Sequence, residues 1–372
     1  MSIKKPTPEN EPLRICCLPI AGRENPYQHL MMEGLRSSAD LDVRHGASGK
    51  VFAALRTVFR YRPDVIHYDW IHRYFLRRHR VWTWMHAPIF ILELIVVRRV
   101  FGCRIVWTMH NLVTHDAGAD RIELWVRRRF ARICEWIRVF DESTVERGSE
   151  LLGVEKDLFC VLPEGSYVGY YPDEVGRVEA RQRLDIGLDD LVLLYFGQIR
   201  PYKGIEDLLE AFENIRAPNW ALVIAGRPLD ERYSNEIVAS AKAHARVRFF
   251  MEFVQDEEVQ TFFNASDIVV LPFKKVENSG TAVLAMGFGK PVIAPRLGVL
   301  SRRLRQQDEL LYDTDGLSEA LASAVTLSKE QLARLGDNNR RAVLQYEWED
   351  FARLFTPASN SHVVTRPLEQ VA

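Results

Sequence analysis

The chain lacks a long uninterrupted hydrophobic run. Its longest apolar tract, Val81 to Val97, carries His86, Pro88 and Glu93. That falls short of the roughly 20 clean residues a bilayer span needs, so the tract predicts a helix and not a transmembrane segment. Cysteine is scarce: Cys16, Cys17, Cys103, Cys134 and Cys160 are odd in number and show no CxxC or Cys/His spacing. Neither a disulfide framework nor a zinc site is suggested, and a reducing cytoplasm is the expected setting. The first twelve residues are polar and proline-bearing, and the short run Ile15 to Ile20 behind them reads as a strand, so no secretory signal is expected. There is no P-loop, GxGxxG, GxSxG or HExxH segment. The formal charge of −1 gives no overall basic excess, so a nucleic-acid partner is not expected.

What is present is a globular balance, with 372 residues, 47% hydrophobic and 27% charged, enough for two α/β domains. Disordered and collagen-like classes are excluded. The charge is unevenly placed: residues 1–170 hold 25 Lys and Arg against 20 Asp and Glu, and residues 171–372 hold 24 against 30. Arginines cluster in the first half at Arg73, Arg77, Arg78 and Arg80, at Arg98 and Arg99, and at Arg127, Arg128, Arg129 and Arg132, with Trp82, Trp84, Trp125 and Trp136 among them. Two readings stand side by side. One is a surface for anionic lipid headgroups or an anionic acceptor, at the inner face of the plasma membrane; the other is a set of solvated helix faces.

Strand-like runs alternate with helical periods through both halves, which implies parallel βαβ units. In the first half the strands are Leu13 to Ile20, Val65 to Tyr68, Cys103 to Met109 and Arg138 to Phe140. The helices are His29 to Arg36, Val81 to Val97 and Ile122 to Ile137. In the second half the strands are Leu191 to Phe196, Trp220 to Ala225, Val247 to Phe250, Ile268 to Pro272 and Pro291 to Ala294. The stretch Cys160 to Pro172, rich in Pro, Gly and Tyr, is the expected linker. The predicted organisation is an N-terminal Rossmann-like domain over 1–170 for the acceptor, a second Rossmann-like domain over 171–345 for the nucleotide, and a helix and tail over 346–372.

Two segments carry chemistry. Phe196-Gly-Gln-Ile-Arg-Pro-Tyr-Lys-Gly204 lies between a strand and a helix and supplies Gly197, Arg200 and Lys203. Backbone N–H groups and two cations in such a loop suit a diphosphate. The second runs from Leu271 to Pro295: a strand, a polar loop from Glu277 to Thr281, a short apolar helix and another strand. Ser279 is placed to cap that helix, and Asn278, Gly280 and Thr281 stand at its positive end.

Together these segments resemble the C-terminal-domain signature of GT-B glycosyltransferases, nearest to glycosyltransferase family 4. Ala285-Met286-Gly287-Phe288-Gly289-Lys290-Pro291-Val292-Ile293 and the approach Asp267-Ile-Val-Val-Leu-Pro272 carry the likeness, strong over 191–295 and loose over 13–170. There are three departures. Gln198 stands where the family has its first loop arginine, Leu284 where its second glutamate belongs, and Glu277 one residue out of step with the first. Glu277 is either a displaced counterpart or a plain loop acid. The chain is thus similar to a divergent, exopolysaccharide-type branch. The resemblance implies the GT-B fold: two Rossmann-like, doubly wound α/β domains facing a central cleft.

The resemblance also places a histidine near the donor sugar at His110, in Trp107-Thr-Met-His-Asn-Leu-Val-Thr-His-Asp116; His115 and Asp116 are a weaker second pair. The early loop Ala21 to Tyr27, with Arg23, Asn25 and Tyr27, follows the first strand and is a candidate acceptor wall. Tyr68, Asp69 and Trp70 hold the equivalent place after the next. Asp69 is either a general base or an exposed loop carboxylate.

The function expected is hexose transfer from a UDP- or GDP-sugar to a hydroxyl of a saccharide or lipid-linked saccharide. No cofactor or metal is expected, the two cations and a helix N-terminus taking a metal's place. Family 4 implies retention of configuration. A non-catalytic partner subunit that binds sugar nucleotide or saccharide, and a sugar-nucleotide epimerase, are the alternatives.

Overall fold

The computed structural model describes residues 11–22, 25–113, 121–215, 219–240 and 246–355. Two units are present, one comprising residues up to 164 and from 347 onward, the other residues 165–346.

The first unit holds a six-stranded parallel sheet of β1 (Leu13–Leu18), β2 (Leu41–His45), β3 (Val65–Tyr68), β4 (Arg104–Thr108), β5 (Ile137–Val139) and β6 (Phe159–Val161), in the order β2-β1-β3-β4-β5-β6. β1 therefore has β2 on one side and β3 on the other, and the direction of winding reverses between β1 and β3. At such a switch point the loops leaving adjacent strand ends diverge and open a crevice. The helix Arg80–Arg99 lies on this sheet: Ala87, Leu94 and Val97 are fully buried, and Glu93 turns inward to accept a hydrogen bond from the Leu55 backbone N–H at 2.9 Å. By length and composition the helix could cross a membrane, at 20 residues and a hydropathy of 1.4, but its inner side is part of this core.

The second unit repeats the plan with β7 (Leu191–Phe196), β8 (Trp220–Ala225), β9 (Val247–Phe250), β10 (Ile268–Val270), β11 (Val292–Pro295) and β12 (Leu311–Tyr312), all parallel, in the order β12-β11-β10-β7-β8-β9. Here the winding reverses between β7 and β10, the two strands that feed the two motif segments. Buried Arg181 ties the helix Arg177–Arg183 to this sheet, donating to the Ala265 carbonyl at 3.1 Å and to Asp267 at 2.7 Å.

The structure differs from the sequence expectation in four places. β2, β6 and β12 were not anticipated, being two to five residues long and either mixed with charge or too short to show a period. The expected linker begins inside β6, and the chain passes to the second unit after Glu164. The helix expected to reach Ile137 ends at Ala131, because Cys134 N–H turns back onto the Phe130 carbonyl and Ile137 enters β5. The expected separate tail is not separate: the 3-10 segment Trp348–Phe355 packs on the first unit against the helix Pro26–Arg36, with Gly34 leaving room for the Trp348 backbone.

Candidate functional site

In the second unit the loop after β7 is held by its neighbours. Gly197 N–H donates to the Ala225 carbonyl at 3.0 Å, and Ile199 N–H to the Arg227 carbonyl at 3.0 Å. On the other side Lys274 N–H donates to the Tyr202 carbonyl at 3.0 Å. Two glycines make the close approach possible. Gly197 and Gly204 have φ of 126° and 70°, and a Cβ on Gly204 would stand 1.9 Å from the Pro272 carbonyl oxygen. A Cβ on Gly197 would stand 3.2 Å from Thr281 Oγ1. The loops after β7 and β10 thus meet, and Gly197, Ser279, Gly280 and Thr281 are brought together.

The helix Gly280–Gly287 opens into this junction. Ser279 caps it, its hydroxyl accepting from Ala282 N–H at 3.2 Å, and its first turn contains no acid. The first backbone N–H groups of a helix have no intrahelical acceptor and carry the positive end of its dipole. The acids at the start of the neighbouring helix Ile205–Glu213 are engaged elsewhere: Glu206 accepts from the Tyr233 hydroxyl at 2.5 Å, and Asp207 pairs with Lys274 at 3.1 Å.

Lys203 lies half-buried with its ammonium 3.8 Å from the centroid of the Phe273 ring. Among the described residues no carboxylate pairs with it. Burial, and then the charge of Arg200, pull its pKa from the ordinary lysine value down to about 8. Arg200 is steadied by Gln198, whose side-chain oxygen accepts from its Nε at 3.0 Å. Glu277 and Asn278 are half-buried just before the helix, with Gly298 (φ 51°) packed close behind the Val276–Glu277 backbone. Sequence reasoning missed Gly226, Phe273 and Gly298; each is a close-packing or ring contact between loops far apart in the chain.

The expectation of no metal also rests on reading no DxD segment, which is corrected here: Asp40-Leu41-Asp42, running into β2, has that spacing, and so does Asp313-Thr314-Asp315. The latter lies just after β12, exposed, with Asp315 at φ 66°. Among the described residues no group of three His, Cys, Asp or Glu could hold a metal ion.

In the first unit the strand ends bring other candidates together. Asp69, directly after β3, is buried, which rules out the exposed loop carboxylate. One of its oxygens accepts from His110 Nε2 at 3.0 Å and the other from Gln28 Nε2 at 3.0 Å. Burial alone would raise its carboxyl; the neighbouring His67 and His110 imidazoles and the Gln28 amide outweigh that and hold it below the usual carboxylate range. The His110 ring stacks on Trp70 with centroids 4.6 Å apart and meets the Tyr27 edge at 4.7 Å. One face and one nitrogen of this imidazole are therefore fixed, and its side chain remains 12% exposed.

Tyr27 is buried, its hydroxyl accepting from Arg138 at 2.9 Å, so it supports the His110 ring from inside. Asn25 caps the helix Pro26–Arg36, its side chain accepting from Tyr27 N–H at 3.2 Å. Tyr68 belongs to the core, edge-on to Tyr74 and Phe130. Gln28 was missed by the sequence reading: it bonds to Ala21 and Pro19 as well as Asp69, joining the loops after β1 and β3. Arg23, His115 and Asp116 lie outside the described residues.

Two parallel doubly wound units in series, the second with a cation-bearing loop and a capped helix N-terminus at its switch point, define the GT-B glycosyltransferase fold. Solved structures agree: sucrose-phosphate synthase from Thermosynechococcus elongatus superposes with a TM-score of 0.71 at 19% identity over 92% of this chain and 97% of that one. Anabaena HepE in complex with UDP and glucose gives 0.73 at 15% identity over 94% and 100%. Residues 177–342 match the family model described as glycosyl transferases group 1. The match falls wholly within the second unit, which is similar to that family over most of its length. A GDP-mannose:glycolipid 4-beta-D-mannosyltransferase of Xanthomonas campestris pv. campestris is 28% identical over 247 residues, 66% of this chain and 64% of that protein. The alignment thus spans just under two thirds of that relative's length. A lipopolysaccharide 1,2-N-acetylglucosaminetransferase of Salmonella typhimurium is 30% identical over 47% of this chain and 49% of its own.

Proposed function

We propose that the chain transfers a hexose from a nucleoside diphosphate sugar to a hydroxyl of a saccharide or lipid-linked saccharide, without a metal ion. The observation that carries this reading is Lys203: a half-buried ammonium with no carboxylate partner among the described residues, at the switch point of the second unit. A buried cation left without an anion is a place where an anionic ligand gains most. On this reading Arg200, Lys203 and the N–H groups of Gly280 and Thr281 hold the diphosphate and stabilise the charge that collects on it as the glycosidic bond breaks. Asn278 and Glu277 border the same loop and are assigned to the sugar nucleotide.

The first unit is assigned the acceptor, at the cytoplasmic face of a membrane. His110, oriented by Asp69, takes the proton of the attacking hydroxyl, as an imidazole held in one tautomer by a carboxylate does elsewhere. Asn25 and the loop around it flank the acceptor. The names of the Xanthomonas relatives make GDP-mannose the first donor to try and a glycolipid the first acceptor.

A second reading has one observation in its favour. Leu284 is buried and apolar where the resemblance expects a carboxylate on the ribose, which suits a sugar-nucleotide binder without turnover. The test is release of nucleoside diphosphate from GDP-mannose and UDP-glucose, with and without a glycolipid extract, in the presence of a chelator. Release that needs the acceptor and is lost in Lys203→Ala supports transfer. Diphosphate released equally without acceptor indicates a hydrolase, conversion of the donor to another nucleotide sugar without net release an epimerase, and an unchanged donor the binder.

A further inference from the structure

The helix Arg80–Arg99 is apolar on both sides. Its inner stripe, through Ala87, Leu94 and Val97, packs into the core, yet only 39% of its most apolar window is buried. The opposite stripe, spaced three and four apart, reads Val81, Met85, Pro88, Leu92, Ile95, Arg99 and is exposed along its length. Trp82 and Trp84 flank it, and Val81, Trp82, Trp84 and Leu92 are each more than half exposed. The apolar surface continues past the helix end through Val100 and Phe101 to Phe59, whose ring meets that of Phe101 at 5.3 Å. Soluble monomers rarely leave so continuous an apolar stripe in water.

The charges that the helix and its ends turn outward are of one sign. Exposed Arg78 and Arg80 stand at the start of the helix, and exposed Arg98 and Arg99 at its end. Glu93, the one acid between them, is turned into the core against Leu55. Arg77 takes no part, since its guanidinium donates to the carbonyls of Arg73, Tyr74 and Leu76. Trp136, grouped with this surface on the sequence, also lies elsewhere, edge-on to Phe351 and Phe355.

We propose that this face docks on an anionic bilayer, the helix lying in the plane of the interface with Trp82, Trp84 and Leu92 among the acyl chains and the terminal arginines on lipid phosphates. An apolar stripe with tryptophans and arginines at its ends has the composition of an interfacial helix. A second copy of the chain fits less well. Two such helices packed by a two-fold axis would set arginine ends against arginine ends, with no outward acid on the helix to offset them. The proposal stands independently of any donor or acceptor.

The experiment is sedimentation of the full chain with phosphatidylcholine vesicles and with vesicles that also contain phosphatidylglycerol, followed by tryptophan emission. The wild type is expected to pellet with the anionic vesicles, shift its emission to the blue, and pellet far less with phosphatidylcholine alone. A Trp84→Glu, Leu92→Glu variant is expected to lose about tenfold or more of that binding while its thermal transition is unchanged, because both side chains are exposed. Arg98→Gln with Arg99→Gln is expected to lose the preference for anionic vesicles. Failure to pellet with either vesicle, or equal pelleting by the Glu variant, overturns the proposal. So does a dimer in vesicle-free solution that the Glu variant dissociates while vesicle binding persists.

Discussion

The carbonyl oxygen of Gly197 occupies the space where Gly226 would carry a Cβ, 1.9 Å from that position. Gly226 also has φ of 144°, a conformation that side chains resist. Gly226→Ala must push the loops after β7 and β8 apart, and the expected cost is about 3 kcal/mol of the second unit's stability, with loss of nucleotide binding. Gly176→Ala is the control, since nothing lies within 4 Å of its Cβ position; it should cost less than about 1 kcal/mol. Denaturant unfolding of both variants checks the pair.

Lys203 titrates near 8, and only its ammonium form attracts a diphosphate. Nucleotide affinity should be flat below that pH and fall by up to about tenfold per unit above it. Calorimetry in two buffers of different ionisation heat should show proton uptake on binding at alkaline pH. In the unliganded protein the sign is opposite: between about 8 and 10.5 the unfolded chain binds more protons, so stability rises across that window. Lys203→Met should remove both slopes.

Asp69 fixes one nitrogen of His110, and an amide in its place allows the wrong tautomer. Asp69→Asn should lower kcat by about 100-fold or more while the nucleotide Kd stays unchanged. A parallel rise in Kd would move Asp69 from the acceptor's chemistry to general support of the fold. Because the folded carboxyl is held below its ordinary range, the stabilisation it gives persists through neutral pH and is lost only on acidification through that lowered value.

Phe351 returns from the end of the described chain to pack edge-on to His67 and beneath the Arg138 guanidinium, which lies 4.6 Å from its ring centroid. Phe351→Ala should cost the first unit about 3–5 kcal/mol. Differential scanning calorimetry should then show a lowered transition for that unit, while a second transition still responds to nucleotide.

Much of this was legible in the chain. Val65 to Tyr68 and Trp220 to Ala225 were read to the residue, because central parallel strands are continuous apolar runs. The loop Gly197 to Gly204 and the cap at Ser279 were visible from residue type and spacing. Edge strands such as Leu41–His45 were not, since Asp42 and Arg44 alternate with the buried residues. Nor could spacing show that Gln28 and His110 share one carboxylate, because those three residues come from separate loops. Asp69 was ambiguous for the same reason: a strand-end acid looks alike in sequence whether it is exposed or buried.

The central claim is a diphosphate site built on Arg200 and Lys203. Titrating the full chain with GDP, UDP and ADP by calorimetry, beside an Arg200→Ala, Lys203→Ala double variant, tests it most directly. One nucleotide should bind selectively and lose about tenfold or more of its affinity in the variant. No binding of any nucleotide, or equal binding by the variant, would contradict it.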